Sequence, residues 1–217
     1  MACGDCAAVC VSGAREIVGR EMTVGEVMSV VLRDRPFYEQ SGGGVTFSGG
    51  EPLLQHEFLL CLLNECRRAN IHAAVDTSGY ASPRTLDRIA PYVDLFLFDL
   101  KSLDDGIHRE WTGVSNAMIL DNLKRLAAAN RRIIVRIPLV PGINDDPESI
   151  DRTGRFVGDL GSVSEIHLLP YHATGQEKYV RLGMHDEFRG RAGPSLAAID
   201  RVVRQFERYG GHVLSGG

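Results

Sequence analysis

The sequence predicts an α/β protein in which parallel strands and helices alternate to form a partial, open β/α barrel. From Val45 onward, short apolar runs alternate with segments of helical periodicity. This alternation is typical of parallel β/α units with right-handed crossovers. In addition, five successive apolar runs lead directly into charged or glycine-rich residues. Functional residues occupy this end of the strands in α/β barrels, so the pattern indicates a site as well as a fold.

The predicted strands are short and evenly distributed along the chain. They cover residues 45–47, 73–75, 95–98, 133–137, 166–169 and, more weakly, 212–214. Before them, Thr23 and Glu26 form a T-x-x-E capping box that predicts a helix continuing to Leu32. Two further helices are predicted by an N-cap residue followed by proline, at Ser82-Pro83 and at Asp146-Pro147. Apolar stripes predict three more, through Phe58, Leu62, Cys66 and Ala69, through Leu120, Leu123 and Leu126, and through Leu196, Ile199, Val203 and Phe206.

The composition excludes some classes of protein. The chain has 217 residues, of which 44% are hydrophobic, and this suits one domain with at most a small attachment. Its net charge of −4 and the absence of a Lys/Arg run argue against a nucleic-acid partner. No stretch has the length of a membrane span, and the N-terminus lacks the pattern of a secretory signal. We therefore expect a cytoplasmic protein with no membrane partner.

The polar strand endings contain side chains suited to an amino-acid-like ligand. Gly49 and Gly50 allow a ligand to approach the backbone closely, and Glu51 beside them can accept a hydrogen bond from an ammonium group. Lys101 and Arg136, at the ends of later strands, can meet a carboxylate. A ligand with both an ammonium and a carboxylate group fits this set.

Two aspartates at neighbouring strand ends leave two interpretations open. Asp76 and Asp99 can share a cation, or they can pair with Lys101 and Arg136. Lys101 is also compatible with Schiff-base chemistry in a metal-free barrel enzyme. His172, taken alone, is more typical of a solvent-facing histidine than of a catalytic residue.

The five cysteines fall into two groups. Cys3, Cys6 and Cys10 have the close spacing of metal ligands rather than that of a disulfide framework. Cys61 and Cys66 lie on different faces of one predicted helix, so we expect them to be ordinary core or surface residues.

Five segments of the chain together resemble one known family. The segments GGGVTFSGGEPLLQ, VDTSGY, DLFLFDLK, VRIPLVPGIND and HLLPYH, in this order, resemble the activating enzymes of glycyl radical enzymes. These are radical S-adenosylmethionine (SAM) proteins of the pyruvate formate-lyase activating type. The resemblance covers nearly the whole chain from Cys3 onward. It implies an open six-stranded β/α barrel, wide enough to admit a peptide loop of the partner enzyme.

The resemblance also implies roles for individual residues and cofactors. Gly49, Gly50 and Glu51 would bind the methionine amino group of SAM; Lys101 and Arg136 would contact SAM, and His172 would line its site. Asp76, Thr77 and Asp99 would hold a monovalent cation beside the SAM carboxylate. In the family, a [4Fe-4S] cluster reduces SAM to a 5′-deoxyadenosyl radical, which takes a hydrogen atom from a glycine of the partner glycyl radical enzyme. Flavodoxin or ferredoxin would be the electron donor.

The cysteine motif that defines this family is not found in the chain. The motif is C-x3-C-x2-C, whereas Cys3, Cys6 and Cys10 have the reverse spacing and resemble the end of a ferredoxin-like insertion with auxiliary iron–sulfur clusters. We therefore expect residues 1–20 to be a remnant of that insertion and residues 21–217 to be a partial barrel that lacks its first strand. Such an N-terminally truncated chain would be inactive by itself.

Two alternatives remain open alongside this interpretation. One is a related radical SAM activity, such as the anaerobic ribonucleotide reductase activase or a small-molecule enzyme. The other is a truncated paralogue that binds a glycyl radical enzyme without performing chemistry.

Overall fold

A single parallel sheet forms the centre of the protein. The computed structural model describes residues 4–15, 17, 19–173, 183, 185, 188, 190–210 and 212–216. Six strands are hydrogen-bonded in the order in which they occur along the chain. They are β1 (Gly44–Phe47), β2 (His72–Thr77), β3 (Leu95–Asp99), β4 (Ile133–Leu139), β5 (Val163–Pro170) and β6 (His212–Ser215). Each predicted strand lies within an observed one, which confirms the sequence-based assignment.

Helices connect the strands on one side of the sheet. The α-helices of the described part are α1 (Asp5–Ala8), α2 (Val24–Val31), α3 (Arg35–Ser41), α4 (His56–Arg68), α5 (Pro83–Ile89), α6 (Asp105–Thr112), α7 (Ala117–Ala128), α8 (Pro147–Asp159) and α9 (Leu196–Glu207). Short 3₁₀ turns occur at Leu32–Asp34, Pro52–Gln55 and Ala90–Tyr92. All six predicted helices are confirmed, whereas α1, α3 and α6 were not predicted from the sequence. Asp104, which caps α6, and Gly113 just after it were the available signals for that helix.

The predicted helix caps are present with the expected hydrogen bonds. The Thr23 hydroxyl accepts from the Glu26 N–H at 3.3 Å, and the Thr23 N–H donates to the Glu26 carboxylate at 2.7 Å. The Ser82 and Asp146 side chains each accept from the third N–H of their helix, at 3.1 and 2.9 Å. These bonds satisfy N–H groups that have no partner within the helix, so they fix where α2, α5 and α8 begin.

The two faces of the sheet have different environments. On β4 the residues alternate between full burial and partial exposure, with Arg136 and Pro138 on the partly exposed face. The opposite face packs beneath the helices and includes the fully buried side chains of Phe96 and Phe98 on β3. In the described residues β1 and β6 are the two edges of the sheet, so the barrel is open, as predicted. The partly exposed face is therefore its inner wall.

No helix among the described residues is long and apolar enough to cross a bilayer.

The two cysteines of α4 differ in exposure and therefore in expected reactivity. Cys66 is fully buried, 3.9 Å from the Met28 sulfur, and this burial raises the pKa of its thiol to about 11. Cys61 is exposed. Because the thiolate is the reactive form, a maleimide at pH 8 should label Cys61 in the native protein and Cys66 only after denaturant is added.

Mass-spectrometric mapping of the labelled peptides measures this difference. Cys61→Ser is the matched control, because it should remove native labelling of the α4 peptide. Rapid labelling of Cys66 without denaturant would contradict the buried position.

Candidate active site

The polar strand endings predicted from the sequence meet at one edge of the sheet. Asp76, Asp99 and Arg136 project from the inner face of β2, β3 and β4, near the carboxyl ends of these strands. The parallel register places Asp99 directly opposite Arg136. The structure therefore brings these side chains together, as expected for parallel strands.

Four charged residues form one ion-paired group, which we call the charged cluster: Asp76, Asp99, Lys101 and Arg136. Arg136 donates to Asp99 Oδ1 from Nε at 3.0 Å and from Nη2 at 2.7 Å. Its Nη2 also reaches over β3 to Asp76 Oδ1. Lys101 Nζ lies 3.4 Å from Asp99 Oδ2. In the structure, the two aspartates pair with Arg136 and Lys101.

Three of the four members of the charged cluster are mostly buried. The side chains of Asp76, Asp99 and Arg136 are 19%, 21% and 20% exposed. Lys101 is more exposed, at 39%, and its contact with Asp99 is the longest in the group. Because an ammonium group has three donors, Lys101 is the cation best placed to meet the carboxylate of a ligand.

Glu51 joins the first two strand endings. Its Oε1 accepts from the Leu53 N–H at 3.1 Å and from the Thr77 hydroxyl at 2.6 Å. Its Oε2 accepts from the Ser78 N–H at 2.9 Å and from the Ser78 hydroxyl at 2.6 Å. A carboxylate has about four acceptor sites, so these bonds engage it fully. Its contact with an ammonium group stays a prediction, and the geometry assigns it a positioning role as well.

The backbone beside Glu51 is open to an approaching ligand. Gly49 has a φ of 135°, and a Cβ added at Gly49 or Gly50 would meet no atom within 4 Å. Ser48, which directly precedes Gly49, donates to Asp76 Oδ2 on the neighbouring strand β2 at 2.8 Å. The predicted approach of a ligand to this glycine pair is therefore sterically possible.

The loop after β2 is held in place by its packing against the hydrophobic core. Thr77 is 2% exposed, and its hydroxyl accepts from the Gly79 N–H at 2.9 Å. Gly79 adopts a φ of 72° directly above the Phe98 ring. The loop that carries Thr77 and Ser78 therefore has little freedom to shift.

Asn122 also holds this loop, and sequence reasoning missed it. It is fully buried on α7, and its Nδ2 donates to the carbonyls of Gly79 and Ala81 at 2.9 and 2.8 Å. The available signal was a polar residue within the apolar stripe of Leu120, Leu123 and Leu126.

Replacing Asn122 with alanine should loosen the loop after β2. The two carbonyls lose their donor, and we expect a loss of about 1–3 kcal/mol in the free energy of unfolding. Amide exchange at Thr77, Ser78 and Gly79 should accelerate more than exchange in the core. Asn64→Ala is the matched control, because Asn64 donates only within its own helix, to Leu60 O at 2.9 Å. Equal exchange rates at the loop in both variants would contradict a positioning role.

Among the described residues, His172, Cys6 and Cys10 make no hydrogen bond or ion pair with the charged cluster. His172 is exposed, two residues beyond the end of β5. Cys3 lies outside the described residues; Cys6 is exposed, and Cys10 is half-buried with a thiol pKa lowered by a hydrogen bond from Ser12. The described residues contain no group of three or more His, Cys, Asp or Glu side chains that could hold a metal ion. Cys6 and Cys10, the two described cysteines of the N-terminal group, are fewer than the four ligands of an iron–sulfur cluster.

Comparison with known proteins gives the family. The sequence profile of the Radical SAM superfamily matches residues 6–153. The chain belongs to this superfamily. Within it, the chain groups with activating enzymes: it is 39% identical to the trans-4-hydroxy-L-proline dehydratase activating enzyme of Clostridioides difficile, over 95% of this chain and 69% of the relative. It is also 39% identical to the pyruvate formate-lyase 1-activating enzyme of Escherichia coli K12, over 90% of this chain and 80% of that protein.

A solved structure supports the same assignment. A domain of pyruvate-formate lyase-activating enzyme from Bacteroides vulgatus matches 81% of this chain and 99% of its own, with a TM-score of 0.69 and 36% identity. The isethionate sulfite-lyase activating enzyme of Oleidesulfovibrio alaskensis is 45% identical over 82% of this chain, but the match covers 57% of that relative. The chain thus spans between 57% and 80% of the length of these curated relatives. The predicted family and barrel type are confirmed.

Proposed function

We propose that the protein takes part in activating a glycyl radical enzyme, and that the inner wall of its barrel binds SAM. The reaction would be hydrogen-atom abstraction from a backbone glycine of the partner by a radical derived from SAM. The charged cluster carries this proposal, because it stands beside the open backbone of Gly49 and Gly50 within a radical SAM barrel.

The residues of the inner wall fit the methionine part of SAM. Lys101 would meet the carboxylate, and the backbone at Gly49 and Gly50 would meet the ammonium group. Glu51 would hold the loop after β1 against the loop after β2 and add negative charge close to that ammonium group. We retain Arg136 and His172 as further SAM contacts, and Asp76, Thr77 and Asp99 as the site of a monovalent cation.

We propose a narrower role for these 217 residues taken alone. They contain no C-x3-C-x2-C motif, so we expect weak SAM binding and no SAM cleavage. Residues 1–20 would be a separate remnant of a ferredoxin-like unit, in keeping with α1, which buries no residue. A cytoplasmic setting and a flavodoxin or ferredoxin electron donor belong to the same proposal.

Ligand-detected NMR is suited to test weak SAM binding. SAM should bind, and methionine should compete with it through its ammonium and carboxylate groups. Lys101→Gln should weaken SAM binding about tenfold, because a hydrogen bond to a charged group is lost. Lys124→Gln, at a 57% exposed position on α7, is the matched control. Unchanged affinity in Lys101→Gln, or tight binding by the wild-type chain, would contradict the proposal.

A non-catalytic module that docks on a glycyl radical enzyme is the second candidate, favoured by the absence of the C-x3-C-x2-C motif from these residues. The genomic sequence immediately upstream of Met1 separates the two candidates. An in-frame C-x3-C-x2-C motif supports the activating enzyme. A promoter and a ribosome-binding site at Met1 support the docking module.

A further inference from the structure

A pocket of about 240 Å³ lies next to the charged cluster, between the end of β3, α6 and the segment after β4. We call it the Trp111 pocket. Its apolar lining consists of Ile107, Trp111, Pro138, Val140, Ile143 and Phe188. Lys101 belongs both to its wall and to the charged cluster. The pocket therefore adjoins the proposed SAM site at Lys101.

The polar side chains in the wall of the Trp111 pocket are engaged within the chain. The Ser102 and Thr112 hydroxyls donate to main-chain carbonyls of their own segment, at 3.4 and 2.6 Å. Asn144 donates to the carbonyls of Lys101 and Pro138 at 3.0 and 2.6 Å, and its Oδ1 accepts from a main-chain N–H at 2.8 Å. The pocket surface that remains available to a ligand is therefore mainly hydrocarbon and aromatic.

This chemistry selects the kind of group that the pocket can receive. A purine carries ring acceptors and an amino group, and burying them without partners is unfavourable. An aromatic or branched aliphatic side chain has no such requirement and gains from leaving water. The lining therefore favours an apolar side chain over the adenine of SAM.

An aromatic rim is in place to hold such a side chain. The Trp111 and Phe188 rings lie with their centroids 5.1 Å apart. The Arg191 guanidinium stands over both rings, at 5.6 and 5.7 Å, and also donates to the Pro141 carbonyl. The Tyr171 ring lies 5.6 Å from that of Phe188 as well, so the rim is a cluster of aromatic rings, and such rings favour tilted or offset packing with an aromatic neighbour.

We propose that the Trp111 pocket receives one large apolar or aromatic side chain that flanks the reactive glycine of the partner polypeptide. This inference rests on the proposed function, which supplies a polypeptide substrate. Consecutive residues are about 3.8 Å apart, so a side chain in the pocket holds the adjoining glycine close to Lys101. The pocket would thus contribute to the choice of partner.

Fluorescence tests this directly, because Trp111 is the single tryptophan of the chain. The probes are two blocked peptides, acetyl-Ala-Gly-Phe-Ala-amide and acetyl-Ala-Gly-Ala-Ala-amide, together with acetyl-Ala-Phe-Gly-Ala-amide for the opposite order. We expect at least one of the phenylalanine peptides to shift the Trp111 emission and to bind about tenfold or more tightly than the alanine peptide. Equal binding of all three peptides, or no binding, would overturn the inference.

Two variants establish where the peptide binds. Val140→Phe fills the pocket and should abolish the preference for phenylalanine without lowering the melting temperature; Ile143→Phe serves if Val140→Phe does not fold. Val30→Phe, at a 39% exposed position on α2, is the matched control and should keep the preference. Competition by adenosine for the same Trp111 signal would assign the pocket to the nucleoside and overturn the inference.

The peptide-binding test and the SAM-binding test of the proposed function can fail separately. The Lys101-dependent binding of SAM does not require the Trp111 pocket. If SAM binds as expected and the peptide preference is missing, only this inference fails. If the peptide preference is present and SAM does not bind, the proposed function fails while the preference of the pocket for an apolar side chain stands.

Discussion

Gly79→Ala should lower the free energy of unfolding by about 3 kcal/mol or more. A Cβ at this position would lie 2.2 Å from the tip of the Phe98 ring, and Phe98 is fully buried and cannot move aside. The backbone φ of 72° adds strain for any residue with a side chain. Urea denaturation followed by circular dichroism measures the change.

Gly113→Ala is the matched control for this substitution. Gly113 has a similar φ of 79°, but an added Cβ would meet no atom within 4 Å. Gly113→Ala should therefore lower the free energy of unfolding only through backbone strain, by about 1 kcal/mol. Phe98→Leu should lower the free energy of unfolding less in the Gly79→Ala background than in the wild-type protein, because the two substitutions affect the same contact. Equal costs for Gly79→Ala and Gly113→Ala would contradict the close packing of the loop on Phe98.

Arg136→Ala should produce the second large effect and lower the free energy of unfolding by about 2–3 kcal/mol. Removing one partner from a buried ion pair costs about 3–5 kcal/mol, and Arg136 and its two aspartate partners are about one-fifth exposed, which reduces the penalty. The substitution leaves two neighbouring carboxylates without the guanidinium that bridges them. Arg109→Ala is the control, because its pair with Asp105 is exposed at 58% and 46% and should be worth less than about 1 kcal/mol.

Two additional measurements identify the cause of this loss. Arg136→Ala combined with Asp99→Asn should be more stable than Arg136→Ala alone, because only one of the two bridged carboxylates remains charged. In Arg136→Ala, potassium chloride should raise the melting temperature more than choline chloride at equal ionic strength, if the aspartates can hold a monovalent cation. Equal melting temperatures of Arg136→Ala in the two salts would contradict the proposed cation site.

Much of the fold could be predicted because its signals are local. The capping box of Thr23 and Glu26, and the N-cap residues Ser82 and Asp146, form hydrogen bonds within one helical turn. The strands followed from short apolar runs, and the parallel sheet followed from their alternation with helices. Helix α6 was missed because its inward face includes His108, a polar residue that interrupts the apolar pattern.

The individual contacts of the site could not be predicted in the same way. The sequence placed Asp99, Lys101 and Arg136 at the ends of predicted strands, but the Arg136 side chain reaches Asp76 two strands away. Which acceptor an arginine meets depends on strand register and on side-chain conformation. The position of Asn122 beneath the loop after β2 depends likewise on how α7 packs.

The sequence by itself determined the order of strands and helices, the family, and the set of residues at the carboxyl ends of the strands. Periodicity and short motifs record these features, because they depend on neighbours along the chain. Only the tertiary structure decided that the aspartates pair with Arg136 and Lys101, that Glu51 is engaged by Thr77 and Ser78, and that Trp111 lines a pocket beside Lys101. These features depend on distances between segments far apart in sequence, which are fixed only when the sheet and helices pack together.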